Sequence, residues 1–251
     1  MRILVSNDDG IYSPGIATLA KVARKFGDVR VVAPDVEMSA AGHAITASRP
    51  VRYRPTKIFS DIEAYRVNGT PADCVALGTY HWERVDVVLS GINLGPNLGT
   101  SIWHSGTVAA AKQAALLGVR AIALSAPIED EDEDFTVLEP WVERVLEELL
   151  DEECPPLVNV NFPRKPQGLQ WASQAVDHYA GRVVPQEDPM GRQHYWFTVV
   201  PLERHREGTD LWAFEQGYVS MTPLRLDLTD YAELERVTKS HTAAARSAEG
   251  N

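Results

Sequence analysis

Apolar positions along this chain follow two rhythms, short continuous runs and runs spaced three or four residues apart. Ile3, Leu4 and Val5 lie in a run over residues 2–6 that reads as a strand buried on both faces. Pro14 stands where a helix starts well, and Ile16, Leu19, Ala20, Ala23 and Phe26 follow at helical spacing as far as Gly27. A second buried strand over residues 29–33 closes at Pro34, so this stretch predicts a βαβ unit with a right-handed crossover. Residues 51–54 and 64–67 alternate apolar with polar side chains, as a small antiparallel hairpin does. Thr70 and Pro71 then cap and open a helix that runs toward Trp82. A strand over 85–89, an alanine-rich helix over 108–117, a strand over 119–125, a helix over 137–150 and a strand over 157–161 complete the alternation.

Beyond Pro163 the pattern changes, with more Gly, Pro and aromatic residues. Runs at 195–200 and 211–214 read as strands, 217–226 as a strand returning to the main sheet or to a partner subunit, and 228–237 as a terminal helix followed by a frayed tail. The expectation is an α/β fold, three-layered and Rossmann-like, with a mostly parallel sheet. One domain spans 1–251: a core over 1–163 with the returning strand at 217–226, a β extension over 164–216, and a C-terminal helix and tail over 227–251.

Composition narrows the chemistry. The 251 residues carry a formal charge of -11, which argues against a surface that wraps a nucleic-acid polymer. Cys74 and Cys154 are too few for a disulfide framework, which points to a reducing compartment. No basic and apolar leader precedes the first strand, and no run approaches eighteen apolar residues, so a soluble, cytoplasmic protein without a membrane partner is expected. The acidic run 129–134 lacks the spaced ligands and glycine of a calcium loop and reads as a solvated segment.

The first strand ends in Asp8, Asp9 and Gly10. Two adjacent carboxylates repel each other and call for a cation between them, and the glycine permits the turn that lets them converge. The long polar loop 35–50, which holds Ser39 and His43, and the loop 90–99, which holds Asn93 and Asn97, leave strand ends that share this edge if the sheet is parallel. Asp8, Asp9, Ser39 and Asn93 together offer oxygen donors alone, the set preferred by hard cations such as Mg²⁺, Mn²⁺ or Ca²⁺. Ser105, Gly106 and Thr107 open the alanine-rich helix, a start with free backbone donors and the positive end of the helix dipole. An open cation site beside such a helix start suits phosphoester hydrolysis.

The stretch Ile3 to Gly10, the loop from Gly91-Ile92-Asn93 to Asn97 and the helix start Ser105-Gly106-Thr107-Val108-Ala109-Ala110 resemble the SurE family of survival-protein nucleotidases. The likeness continues through Gly69-Thr70-Pro71-Ala72-Asp73-Cys74 to Gly217-Tyr218-Val219-Ser220; the Ser39 loop matches more loosely. The resemblance implies a phosphoric monoester hydrolase of 5'-nucleotidase type. It would act on nucleoside 5'-monophosphates, with 3'-monophosphates and short polyphosphate as secondary substrates. It also implies one divalent cation per subunit, Mg²⁺ or Mn²⁺, on Asp8, Asp9, Ser39 and Asn93, with phosphate contacts from Asn97, Ser105, Gly106 and Thr107. Homodimers or homotetramers formed through the C-terminal region are implied as well.

Asp8 and Asp9 are the catalytic candidates, Asp9 as the group orienting or deprotonating water, and His43 or His104 as a proton donor to the leaving group. Three other readings compete. A haloacid-dehalogenase-type phosphatase wants a second Asp two residues after the first, whereas these acids are adjacent. A receiver-like signalling domain is roughly half this length. A non-catalytic nucleotide-binding protein would bind without releasing phosphate.

Overall fold

The computed structural model describes residues 1–127, 134–151, 153–176, 181–199 and 205–249. Apart from Asp134, the acidic run 129–134 lies outside them. The chain alternates as expected through β1 (Arg2–Ser6), α1 (Pro14–Ala23), β2 (Asp28–Pro34), the hairpin β3 (Tyr53–Thr56) and β4 (Glu63–Val67), α2 (Pro71–His81), β5 (Val87–Leu94), α3 (Gly106–Leu116), β6 (Arg120–Ala126), α4 (Glu139–Leu149) and β7 (Leu157–Asn161). β8 (Gly168–Trp171), the hairpin β9 (Gly181–Glu187) and β10 (Gln193–Val199), α5 (Asp210–Glu215), β11 (Tyr218–Pro223) and α6 (Tyr231–Glu249) follow.

Among the described residues nine strands form the central sheet, in the order β3-β4-β2-β1-β5-β6-β7-β11-β8. The strands from β4 to β7 are parallel to one another; β3 and β11 run against their neighbours β4 and β7. Alternation along the buried strands divides the core in two. Ile3, Val5, Leu89, Ile122 and Val158 pack with Ile16, Leu19, Val145 and Leu146 of α1 and α4, while Leu4, Val32, Val88 and Ala121 pack with Val75, Val108 and Ala111 of α2 and α3. The result is the three-layer, mostly parallel Rossmann-like α/β architecture expected from the sequence.

Thr70 forms a reciprocal capping box with Asp73: its hydroxyl accepts from the Asp73 N–H at 3.1 Å and its own N–H donates to the Asp73 carboxylate at 2.9 Å. Two differences from the sequence reading and one alternative now decided stand out. Residues 211–214, read as a strand, are helical in α5, because the Thr209 hydroxyl accepts from Trp212 N and Asp210 is anchored beneath the first turn. The returning strand joins the main sheet, between β7 and β8. The tail read as frayed continues α6 to Glu249, which follows from its alanine content.

β5 runs five residues beyond the position expected and carries an irregularity. Ser90 pairs with Ala123 and Asn93 with Ser125, so β5 holds one residue more than β6 between the two pairs. Three residues apart in a regular strand, Ser90 and Asn93 would face opposite sides; the bulge turns both to the α3 side. Gly91 makes it possible, with φ of 137° and no side chain, since a Cβ there would collide with the carbonyl oxygen of Leu124. Gly91→Ala is expected to lower stability by more than about 2 kcal/mol in urea unfolding followed by circular dichroism, and an unchanged midpoint would contradict this.

Candidate active site

All parallel strands end at one edge, and β1 delivers Asp8 there. Asp8 is buried and lies on the start of α3, where its carboxylate accepts from the Thr107 hydroxyl and from the backbone N–H groups of Thr107 and Gly106. A Cβ at Gly106 would sit 2.7 Å from the Cβ of Asp8, so a residue without a side chain is what allows the approach. Burial pushes the Asp8 carboxyl above the usual range, and the hydrogen bonds from Thr107 and Gly106 oppose that rise. Ser105 caps the helix, its hydroxyl accepting from Val108 N at 3.0 Å.

Gly10, with φ of 95°, closes the acidic turn. Asp9 reaches the other way, and its Oδ2 accepts from Leu94 N at 3.1 Å. Burial pushes its carboxyl up to about 7, the neighbouring Asp8 and Glu37 push in the same direction, and the Leu94 N–H opposes them. The loop after β2 is tied to this turn one residue before Ser39, Met38 N donating to Asp8 O at 2.7 Å. Ser39 is exposed and its hydroxyl donates to Glu37 at 2.6 Å. Asn93 donates its amide nitrogen to Gly95 O at 2.7 Å, which leaves the amide oxygen for a cation.

Asn97 is held from behind. Its N–H donates to Asn161 Oδ1 at 2.7 Å, its amide nitrogen donates to Ser125 Oγ at 2.9 Å, and its carbonyl accepts from the amides of Asn159 and Asn161. Asp210, fully buried, accepts from Gly99 N at 2.8 Å and from Ala175 N at 2.9 Å, so the same loop is pinned at a second point. His43 pairs with Gln113 at 2.9 Å, about 10 Å along α3 from Gly106, while His104 directly precedes the cap Ser105 and its backbone carbonyl accepts from Gly42 N.

The structure thus brings Asp8, Asp9 and the starts of the Ser39 and Asn93 loops to one edge. It spends most donors of the Ser105–Thr107 turn on Asp8, and it buries Asn97 in a network. Glu37, Asn159, Asn161 and Asp210 were not singled out from the sequence. Two asparagines at alternate positions of a buried strand were the available signal, since buried amides must find partners.

The ion pairs among the described residues leave Asp8 and Asp9 without a basic partner. Beneath them Ser6 Oγ, Asn7 Oδ1 and Ser90 Oγ are buried without a protein partner. Uncompensated acids above unsatisfied oxygens fit a hard cation. Among the described residues no three His, Cys, Asp or Glu side chains gather as a metal cage, so two carboxylates would be completed by neutral oxygens.

The family description of survival protein SurE matches residues 3–181. A curated relative from Thermus thermophilus, 5'-nucleotidase SurE 1, is 49% identical over 243 residues, covering 95% of this chain and 97% of its own. A 5'-nucleotidase SurE from Deinococcus radiodurans is 46% identical over 236 residues, covering 91% and 88%. The crystal structure of a SurE protein from Aquifex aeolicus superposes with a TM-score of 0.81 at 38% identity, covering 96% of this chain and all of that one.

Asp9 sets a pH dependence. An unfolded Asp ionises near pH 4, whereas folded Asp9 holds its proton to about 7, so metal-free stability falls as pH rises between the two. In chelator, Asp9→Asn is expected to stabilise the chain at pH 8 by on the order of 2 kcal/mol, with the gain closing toward pH 4.5. Thermal melts at both pH values check this; a gain independent of pH would contradict it.

Proposed function

The chain belongs to the SurE survival-protein family, and from that footing we propose that it hydrolyses nucleoside 5'-monophosphates to nucleoside and phosphate in a metal-dependent reaction. It is a phosphoric monoester hydrolase of the 5'-nucleotidase type. The observation that carries the finer reading is the pair of acids without a basic partner, beside a helix N-terminus. Activity on 3'-monophosphates and on short polyphosphate belongs to the same proposal.

One divalent cation per subunit, Mg²⁺ or Mn²⁺, would rest on Asp8, Asp9, Ser39 and Asn93. When bound, it supplies Lewis acidity toward the phosphoryl oxygens. The residues around it do the rest. Thr107 and Gly106 fix Asp8 in one orientation. Asp9 has one oxygen engaged by Leu94 N, so Oδ1 is the atom left to orient a water and take its proton. The α3 start offers a positive dipole end to the ester's phosphoryl group; the Ser105 hydroxyl hydrogen and the second amide hydrogen of Asn97 are the donors Asp8 leaves free, and Gly106 and Thr107 would join them by sharing the N–H groups that also serve Asp8. The helix dipole and the fixed donors favour the negative charge spread over the phosphoryl oxygens in an in-line displacement.

A homodimer or homotetramer through the C-terminal region is part of the reading. The β9–β10 hairpin pairs only with itself among the described residues, and Val183, Tyr195 and Trp196 on it are more than half exposed. Among the described residues no helix is long and apolar enough to cross a membrane.

Phosphate release from a panel of nucleoside monophosphates tests the reaction. Release from 5'-monophosphates should vanish with chelator and return with Mg²⁺ or Mn²⁺; release untouched by chelator would contradict the metal dependence. Asp8→Asn keeps an acceptor for Thr107 and should lower kcat by at least about 100-fold with little change in melting temperature. Turnover at the wild-type rate would remove Asp8 from the site.

A further inference from the structure

The chain carries a net charge of -11, yet a cluster of arginines at its sheet edge has no carboxylate partner. Arg54 of β3 and Arg66 of β4 stand directly opposite each other in the antiparallel pair. Arg52 lies two residues before Arg54. Tyr53, Tyr65 and Val67 pack toward α2, so alternation turns these three arginines to the opposite face. On that face α1 packs mainly against β1, β2 and β5, and it meets the hairpin through its C-cap Arg24, which pairs with Asp61 in the β3–β4 connection.

Arg52, Arg54 and Arg66, with Asp35 and Asn68, line a crevice of about 40 Å³. The two acids of the hairpin are engaged: Glu63 pairs with Arg30 at 2.5 Å, and Asp61 pairs with Arg24. Among the described residues Arg52, Arg54 and Arg66 make no ion pair, and Asp35 is not within ion-pair distance of them. Asn68 is held in place, its Oδ1 accepting from Arg52 N at 2.6 Å and its carbonyl from Arg49 at 2.8 Å. That orientation leaves the Asn68 amide nitrogen as a further donor.

Like charges facing each other across strands destabilise a sheet, and Arg54 opposite Arg66 is such a pair. An anion between them removes the penalty, and guanidinium groups match the oxygens of a phosphate in geometry and charge. We propose that this crevice is a second oxyanion site, separate from the acidic turn, that takes a phosphate-type group on Arg52, Arg54 and Arg66. It opens near the strand edge that carries Asp8 and Asp9. Arg66 lies two strands from β1 and Arg54 three, roughly 10 and 14 Å of backbone. A long side chain closes several ångströms of that gap. The phosphate therefore comes either from solution or as the distal group of a nucleoside that carries two phosphates; only the second source rests on the nucleotidase reading.

The test begins with inorganic phosphate titrated calorimetrically into the full chain in chelator, wild type against the Arg54→Ala/Arg66→Ala double variant. The double variant should bind at least about tenfold more weakly, and equal binding by the two proteins would overturn the site. Thermal melts give an independent readout. Arg54→Thr should melt higher than wild type without phosphate, and phosphate should raise the wild-type melting temperature but not the variant's. A variant that melts lower and keeps the full phosphate shift would overturn the proposal. Kinetics separate the two sources. A tenfold rise in KM for a nucleoside 3',5'-bisphosphate, with KM for the 5'-monophosphate unchanged, assigns the site to substrate; KM values unchanged for both, together with the lost phosphate shift, assign it to free phosphate. The titration and melts require no turnover, so a chain inactive on every ester would still reveal whether the crevice binds phosphate.

Discussion

A buried carboxylate seated on a helix N-terminus joins the two halves of this site. Asp8 ends β1, and the first turn of α3 supplies the donors that a buried acid needs. Each solves the other's problem: the helix start has backbone N–H groups without intrahelical partners, and the acid has charge without water. Because Gly106 presents no Cβ, the strand end and the helix end meet in van der Waals contact. Asp9 is then thrown to the opposite side of the turn, against Leu94 N, with Glu37 adding repulsion. Two acids held this close, with no basic side chain paired to either among the described residues, both sit above the usual carboxylate range, and the cation proposed for them would offset that repulsion.

The remaining positions follow from how β5 ends. Its extra residue at Gly91 turns Asn93 to the same side as Ser90, and the chain then descends into a network of Asn97, Ser125, Asn159 and Asn161. These side chains line the sheet where apolar residues would ordinarily sit. Their role is to hold the loop, so that the asparagine oxygen and the α3 start keep fixed positions relative to the acids. Asp210 adds a second anchor, from a helix more than a hundred residues downstream. In this way the C-terminal third of the chain shapes a site whose reactive groups all come from the first half.

Much of this was legible in the residues. Continuous apolar runs ending in Asp8-Asp9-Gly10 and in Ser90-Gly91 located the strand ends, and a parallel sheet forces such ends to one edge. The Thr70-Pro71 and Ser105-Gly106 starts carried their capping chemistry openly. Residues 211–214 misled because a short apolar run does not distinguish strand from helix, and the deciding group, Asp210, acts through Gly99 and Ala175, contacts far away in sequence. Glu37 was hidden for a related reason: only the fold brings it toward Asp9. That Asp8 from β1 takes donors of the Ser105–Thr107 turn rests on a contact 99 residues apart, which no local pattern specifies. Cross-strand opposition of Arg54 and Arg66 depends on hairpin register, which the local pattern does not specify.

The central claim is that Asp8 and Asp9 share one hard cation. Direct counting of bound Mn²⁺ by electron paramagnetic resonance at pH 7.5 tests it without reference to turnover. The account predicts one tightly bound ion per chain in the wild type and none in the Asp8→Asn/Asp9→Asn double variant. An undiminished count in that variant would contradict it.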